Sequence, residues 1–224
     1  MNSHCFSNRH QNSLYFLFWP VFGLRYLLVE QFHPSAVYHP VHCLLDDRIP
    51  FLEWFIIPYV FWYLCSVGVQ LWLYLRTDMA YRQYSRFLIV SMSISTAIFL
   101  LYPTCQNLRP TEFPRDNLLT KAVQLLYRMD TSTNVCPSEH VIGSVGFFLA
   151  VLYSQQGRRP GIAAAAAAAA FLTAIATVFL KQHSLVDVAA ALPVCAVGWY
   201  LSFHEIPIKE ERRFRRIRFG RSSA

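Results

Sequence analysis

His183 and Asp187 stand four residues apart in the run Lys181-Gln182-His183-Ser184-Leu185-Val186-Asp187. At the start of a helix that spacing puts both side chains on one face, so the carboxylate can hold one ring nitrogen and leave the other basic and outward. A nucleophile or base with its orienting acid has this arrangement. A second imidazole, His140, closes the run Cys136-Pro137-Ser138-Glu139-His140. Arg109 offers a planar cationic fork suited to phosphate, while Ser138 and the backbone N–H groups that open the following helix could add neutral donors to an anion. Nucleophile, acid for the leaving group and cationic donors together describe phosphoryl transfer.

These residues need elements that bring them together. His140 and His183 sit at the ends of two apolar segments, 140–153 and 161–180, joined by Gln155-Gln156-Gly157-Arg158-Arg159-Pro160-Gly161. Each segment is roughly the length of a bilayer crossing. A chain that crosses and returns delivers both histidines to the same membrane face. The whole sequence is 54% hydrophobic and 15% charged, which predicts an all-α, polytopic membrane protein. Six spans are expected, at 13–29, 51–75, 87–101, 140–153, 161–180 and 185–203. They form one membrane domain over 13–203, between a short segment 1–12 and a basic tail 204–224. No small-residue cleavage site follows the first apolar run, which therefore reads as the first anchor. Pro20 is expected to kink it. The eight alanines Ala163 to Ala170 predict close helix approach. In the longest loop, Asp116 or Asn117 caps a helix with Leu119, Ala122, Val123, Leu126 and Met129 on one face and Lys121 and Arg128 toward water.

Charge sets the topology. Much of the formal +7 lies in the tail 209–221; directly after a span, such a run anchors to anionic headgroups rather than binding nucleic acid. With the tail cytoplasmic, the clusters Arg76/Arg82/Arg86 and Arg158-Arg159 are cytoplasmic too, and both termini lie on that side. The loops carrying Asp46-Asp47, Arg109, His140 and His183 then face outward. The six cysteines include no Cys-x-x-Cys pair, so no zinc ribbon or redox motif is indicated. His33, His39 and His42 lack a regular ligand spacing and read as loop polarity.

The motifs resemble those of the type 2 phosphatidic acid phosphatase superfamily, six-helix membrane enzymes that cleave or transfer lipid phosphates. That family carries Lys, six residues, Arg-Pro; then Pro-Ser-Gly-His; then Ser-Arg, five residues, His, three residues, Asp. Here Arg109-Pro110, then Pro137, Ser138 and His140, then His183 and Asp187 match. The resemblance implies that His183 is a phosphohistidine-forming nucleophile, Asp187 its partner, and His140 the acid that protonates the leaving oxygen. It implies that Arg109 and Ser138 bind phosphate and that no metal or other cofactor is needed. Tyr102 replaces the family Lys, Glu139 the Gly, and Ala176-Thr177 the Ser-Arg, while Lys181 could restore one charge. That pattern looks nearer the sphingomyelin and inositol phosphorylceramide synthase branch, in which a lipid hydroxyl replaces water as acceptor.

The expected protein is thus a lipid phosphatase or phosphotransferase with a phosphorylated lipid as partner, multi-pass in a bacterial plasma membrane. Two other readings use the same residues. His140, His183 and Asp187 also form a two-His, one-carboxylate set for a metal-dependent hydrolase, and the cations could serve a non-catalytic anionic-lipid binding or transport protein. A disulfide between Cys105 and Cys136 would tie the Arg109 segment to the His140 segment, against the alternative of two free thiols.

Overall fold

The computed structural model describes residues 12–31, 37–76 and 79–204. The tail beyond 204, most of the segment 1–12, and His33 lie outside the described residues. Within them the chain is almost wholly helical: α1 (Phe18–Gln31), α2 (Ile56–Arg76), α3 (Met79–Leu101), α4 (Leu118–Met129), α5 (Glu139–Tyr153), α6 (Pro160–Phe179) and α7 (Leu185–Trp199). A π-helical turn, Tyr200–His204, extends α7.

Four helical stretches are long and apolar enough to cross a membrane: Glu53–Arg76, Met79–Leu101, Pro160–Phe179 and Leu185–His204. Leu14–Val29 and Glu139–Tyr153 are apolar but shorter. At 1.5 Å per residue a helix of 15 residues such as α5 is about 22 Å long, less than the ~30 Å hydrocarbon core.

Element boundaries differ from hydropathy where charge and backbone disagree. Arg82 and Arg86 belong to α3 rather than to a link, because a helix continues through polar residues as long as its backbone bonds close; Arg82 Nε donates to Asn12 Oδ1 at 2.9 Å. The irregularity expected at Pro20 is a 3-10 stretch, Leu14–Leu17, which holds the carbonyl four residues earlier that a proline ring crowds. In the loop helix Asn117 is the cap, accepting from the Thr120 N–H at 2.9 Å. Val123 is buried and Leu119 and Leu126 pack inward, with Lys121 and Arg128 exposed. Ala122 and Met129, expected on the inward face, are exposed as well.

The core is aromatic, with Tyr81, Tyr84, Phe87, Phe147 and Phe203 buried between α2, α3, α5 and α7. Small residues set the approach of these helices. A Cβ on Gly143 would stand 2.5 Å from the Trp62 ring, and one on Gly198 would strike Ser91 Oγ. The alanine run packs α6 along α5 and α2, with Ala169, Ala170 and Ala174 against the core.

Three loops knit together at one end of the bundle. His39–Pro40 (β1) pairs in parallel with Thr104–Cys105 (β2). Asn134 N–H donates to Thr104 O at 2.6 Å, Gln106 N–H to Ser132 O at 2.9 Å, and Cys136 N–H to Thr104 Oγ1 at 3.1 Å. This end carries Asp46, Arg109, His140 and His183, so the loops that the sequence assigns to one face do meet.

Candidate active site

The turn between α6 and α7 is the anchor of the site. Ser184 caps α7 through a capping box with Asp187. The Asp187 Oδ2 that accepts from Ser184 N–H at 2.9 Å also lies 3.2 Å from His183 Nδ1. The carboxylate is fully buried and the ring nearly so. One carboxylate oxygen therefore fixes both the helix start and the imidazole, leaving Nε2 as the ring atom with a free choice of partner.

His140 comes from the first turn of α5, whose cap is Ser138. Ser138 N–H donates to Asp187 O at 3.1 Å, which ties the starts of α5 and α7 directly together. The two imidazole centroids lie 5.8 Å apart. His140 stacks on Tyr59 at 4.3 Å and tilts against Trp62 at 4.6 Å, both from α2. Its buried Nε2 has no hydrogen-bond partner among the described residues. Both histidines line a cavity of about 720 Å³ walled by α1, α2, α4 and the loop after α4.

The expected phosphate ligands are placed differently from one another. Arg109 sits beside the residue that precedes His183: its guanidinium donates to Gln182 Oε1 at 2.5 Å, Tyr127 O at 3.1 Å and Thr131 O at 2.7 Å, and lies over the Tyr127 ring. Ser138 is fully buried, its Oγ accepting from Val141 N–H at 3.4 Å. Lys181 has left-handed backbone (φ 54) and donates from Nζ to Asp46 O at 2.6 Å. Burial pushes its ammonium pKa down, with Asp46 and Asp47 opposing in part.

Several contributors escaped sequence reasoning. Asp46 accepts from Ser184 Oγ at 2.6 Å, Leu185 N–H at 2.9 Å and Cys43 N–H at 2.8 Å, so a distant loop clamps the turn that carries His183. Burial pushes the Asp46 carboxyl up, but these hydrogen bonds outweigh it and hold its pKa below the usual value. Asp130, the cap at the end of α4, accepts from Tyr26 at 2.8 Å, Tyr59 at 3.1 Å and Gln182 Nε2 at 3.2 Å. Arg25 of α1 binds Glu139 through two 2.7 Å hydrogen bonds and Thr96 Oγ1 at 2.9 Å. Of these, Arg25 carried a readable signal: an ionisable residue inside an apolar span marks a functional site by default.

The cysteine pairing is not made. Cys105 and Cys136 are free thiols; the Cys105 backbone forms an isolated antiparallel bridge with Thr133, and burial with the nearby Asp187 carboxylate pushes the Cys136 thiol up to about 12. Among the described residues no three His, Cys, Asp or Glu side chains gather as a metal site. His39 stacks on Tyr102 and His42 faces Asp47 at 2.8 Å.

The chain is a helical bundle with four membrane-length apolar helices and a cavity lined by His140 and His183. The chain belongs to the PAP2 superfamily, whose model matches residues 84–210, more than half the chain. The match includes Arg109, Ser138, His140, His183 and Asp187; α1 and α2, with Arg25, Tyr59 and Trp62, precede it. No curated protein and no solved structure matches the chain.

Proposed function

We propose that this chain is a metal-independent lipid phosphatase or phospho-headgroup transferase that works through a phosphohistidine on His183. The observation that carries the reading is the buried His183–Asp187 pair facing His140 across a shared cavity. His183 Nε2 attacks phosphorus, forming a P–N bond as the P–O bond to the lipid breaks. Protonated His140 gives its proton to the leaving oxygen. In the second half, water or a lipid hydroxyl loses its proton to His140 and attacks the same phosphorus, releasing Nε2. Asp187 holds Nδ1 and offsets the charge that develops on the His183 ring. Arg109, bonded to Gln182 beside His183, is the donor we assign to equatorial phosphate oxygens.

Both shorter apolar helices, Leu14–Val29 and α5, would complete six spans if the bilayer thins or the helix ends are covered by flanking side chains. Cytoplasmic termini and an outward site follow from the arginine clusters; a bacterial plasma membrane is the setting we favour.

The test is lipid-phosphate turnover by detergent-purified protein in EDTA, with phosphatidic acid, a polyprenyl pyrophosphate, and a headgroup donor paired with diacylglycerol. Turnover that persists in EDTA and vanishes in His183→Ala supports the reading. Turnover abolished by the chelator would favour the metal-dependent hydrolase, and equal turnover in the variant would remove His183 from the chemistry.

A further inference from the structure

A second cavity shares Phe22 and Arg25 with the one that holds the histidines. It is a groove of about 860 Å³ between α1 and α3, walled by apolar side chains that include Leu17, Val21, Ile89 and Met92. Leu17, Val21 and Ile89 are 57%, 61% and 40% exposed, so the groove opens to the outside of the bundle. Hydrogen bonds tie its two walls at two levels. At one, the Asn12 carbonyl accepts from Tyr81 Oη at 2.6 Å and the Asn12 side chain from Arg82 Nε at 2.9 Å. At the other, Arg25 donates to Thr96 Oγ1 at 2.9 Å. The groove lies between these levels. An apolar gap at bilayer depth holds no water, and left empty it forfeits dispersion contacts along both walls. A hydrocarbon chain is the occupant that fits such walls.

The charge of the groove is one-sided. Its lining holds Arg25, Arg82 and Arg86 and, among the described residues, no carboxylate. Arg25 is met by Glu139. Arg82 and Arg86 stand four residues apart on one face of α3, and Arg86 is exposed with no ion pair or hydrogen bond among the described residues. From Arg82 to Thr96 the helix rises about 21 Å at 1.5 Å per residue, which is half the ~40–45 Å of a bilayer with its headgroups. The groove is thus one leaflet long, with its cations at the end that the arginine clusters assign to the cytoplasm. Basic pockets between spanning helices on that side attract anionic headgroups. The chain's own segments outside the described residues, 1–11 and 205–224, are each net positive, so like charge disfavours them as the occupant.

We infer that the groove between α1 and α3 is a binding site for an anionic phospholipid of the cytoplasmic leaflet, with one acyl chain along Leu17, Val21, Ile89 and Met92 and the phosphate at Arg82 and Arg86. This lipid is a bound partner rather than a substrate. Its phosphate sits at the opposite end of α3 from Thr96, where the Arg25–Glu139 pair beside His140 is joined. The site goes beyond the phosphohistidine reading and does not depend on it.

The experiment is photolabelling of the full chain in phosphatidylcholine nanodiscs, followed by peptide mapping. The probes are phosphatidylglycerol and phosphatidylcholine, each with a diazirine in one acyl chain and present at equal mole fraction. Label on the peptides containing Val21 and Ile89 is expected to be about fivefold higher with the phosphatidylglycerol probe, the scale of one or two arginines at headgroup level. Arg86→Gln, at an exposed position, should reduce that preference to about twofold or less. Label on the tail peptide, whose basic run attracts anionic lipid by itself, should stay the same in the variant. Equal labelling of the groove by the two probes overturns the inference, as does a preference unchanged in Arg86→Gln. Absence of label at Val21 and Ile89 while other helices are labelled also overturns it, because the groove would then be filled by protein. None of these outcomes touches the phosphohistidine reading, which stands or falls on His183-dependent turnover.

Discussion

Arg25 and Glu139 are joined by two hydrogen bonds of 2.7 Å, and Glu139 is the residue immediately before His140. The pair locks α1, which precedes the family match, onto the helix start that carries the candidate acid. Their side chains are 17% and 14% exposed, so each charge depends on the other. Arg25→Ala would remove both of these hydrogen bonds from the Glu139 carboxylate and cost about 3 kcal/mol. The double variant Arg25→Met/Glu139→Gln should recover most of that loss. Thermal unfolding of the single and double variants in one detergent measures the difference; additive losses would show that the two residues do not act as a pair.

Asp46 makes the stability of the turn that carries His183 depend on pH. Its pKa is depressed on folding, so its contribution is fully present above the unfolded carboxyl value of about 4 and fades as pH falls through the lower folded value. Removing the charge-assisted bonds to Ser184 and Leu185 with Asp46→Asn should cost about 2 kcal/mol near neutrality. The gap in melting temperature between parent and variant is expected to be wide at pH 7 and to close below about pH 4. A gap independent of pH across that window would rule out the carboxylate charge as its source.

The free thiols give a chemical readout of the site. With its thiol pushed up to about 12, Cys136 carries little thiolate at pH 8 and should resist alkylation in the folded protein. Asp187→Asn removes one of the causes of that shift and should speed the reaction at Cys136. Peptide mass mapping after timed alkylation, with and without reductant, reads both points. Rapid labelling of Cys136 in the parent, or a Cys105–Cys136 bond appearing without reductant, would contradict the structure.

Gly143 sets how closely Trp62 can approach the His140 helix. Gly143→Ala places a methyl group at 2.5 Å from the indole, an overpacking that typically costs about 1–3 kcal/mol. Because Trp62 also leans on His140, turnover should fall along with stability. Full activity in a destabilised variant would show that the Trp62 contact does not position His140.

The parts of the site that were legible in the sequence are those encoded over short distances. His183 and Asp187 are one helical turn apart, and Ser138 and His140 bracket a helix start, so spacing alone brought each pair together. The meeting of the two segments followed from reading them as a helical hairpin, although α5 is shorter than a bilayer crossing. Arg25, Asp46 and Asp130 were not legible as partners, because they reach their ligands across gaps of 114, 138 and 52 residues. Such pairings depend on how helices pack rather than on any local pattern. Lys181, whose position two residues before His183 suggested a phosphate ligand, sits in a left-handed turn and donates its ammonium to the Asp46 carbonyl. Hydropathy likewise placed the start of α3 at Phe87 because it stops at charge, whereas backbone hydrogen bonding runs on from Met79.

The central claim is that phosphorus passes through His183. The most direct measurement is a rapid quench in alkali of the parent chain mixed with a phosphorus-radiolabelled lipid, followed by peptide mapping of the protein-bound label. The account predicts an acid-labile, alkali-stable label on the peptide containing His183, lost in His183→Ala. Label that maps to another residue, or full turnover with no labelled protein at any quench time, would contradict it.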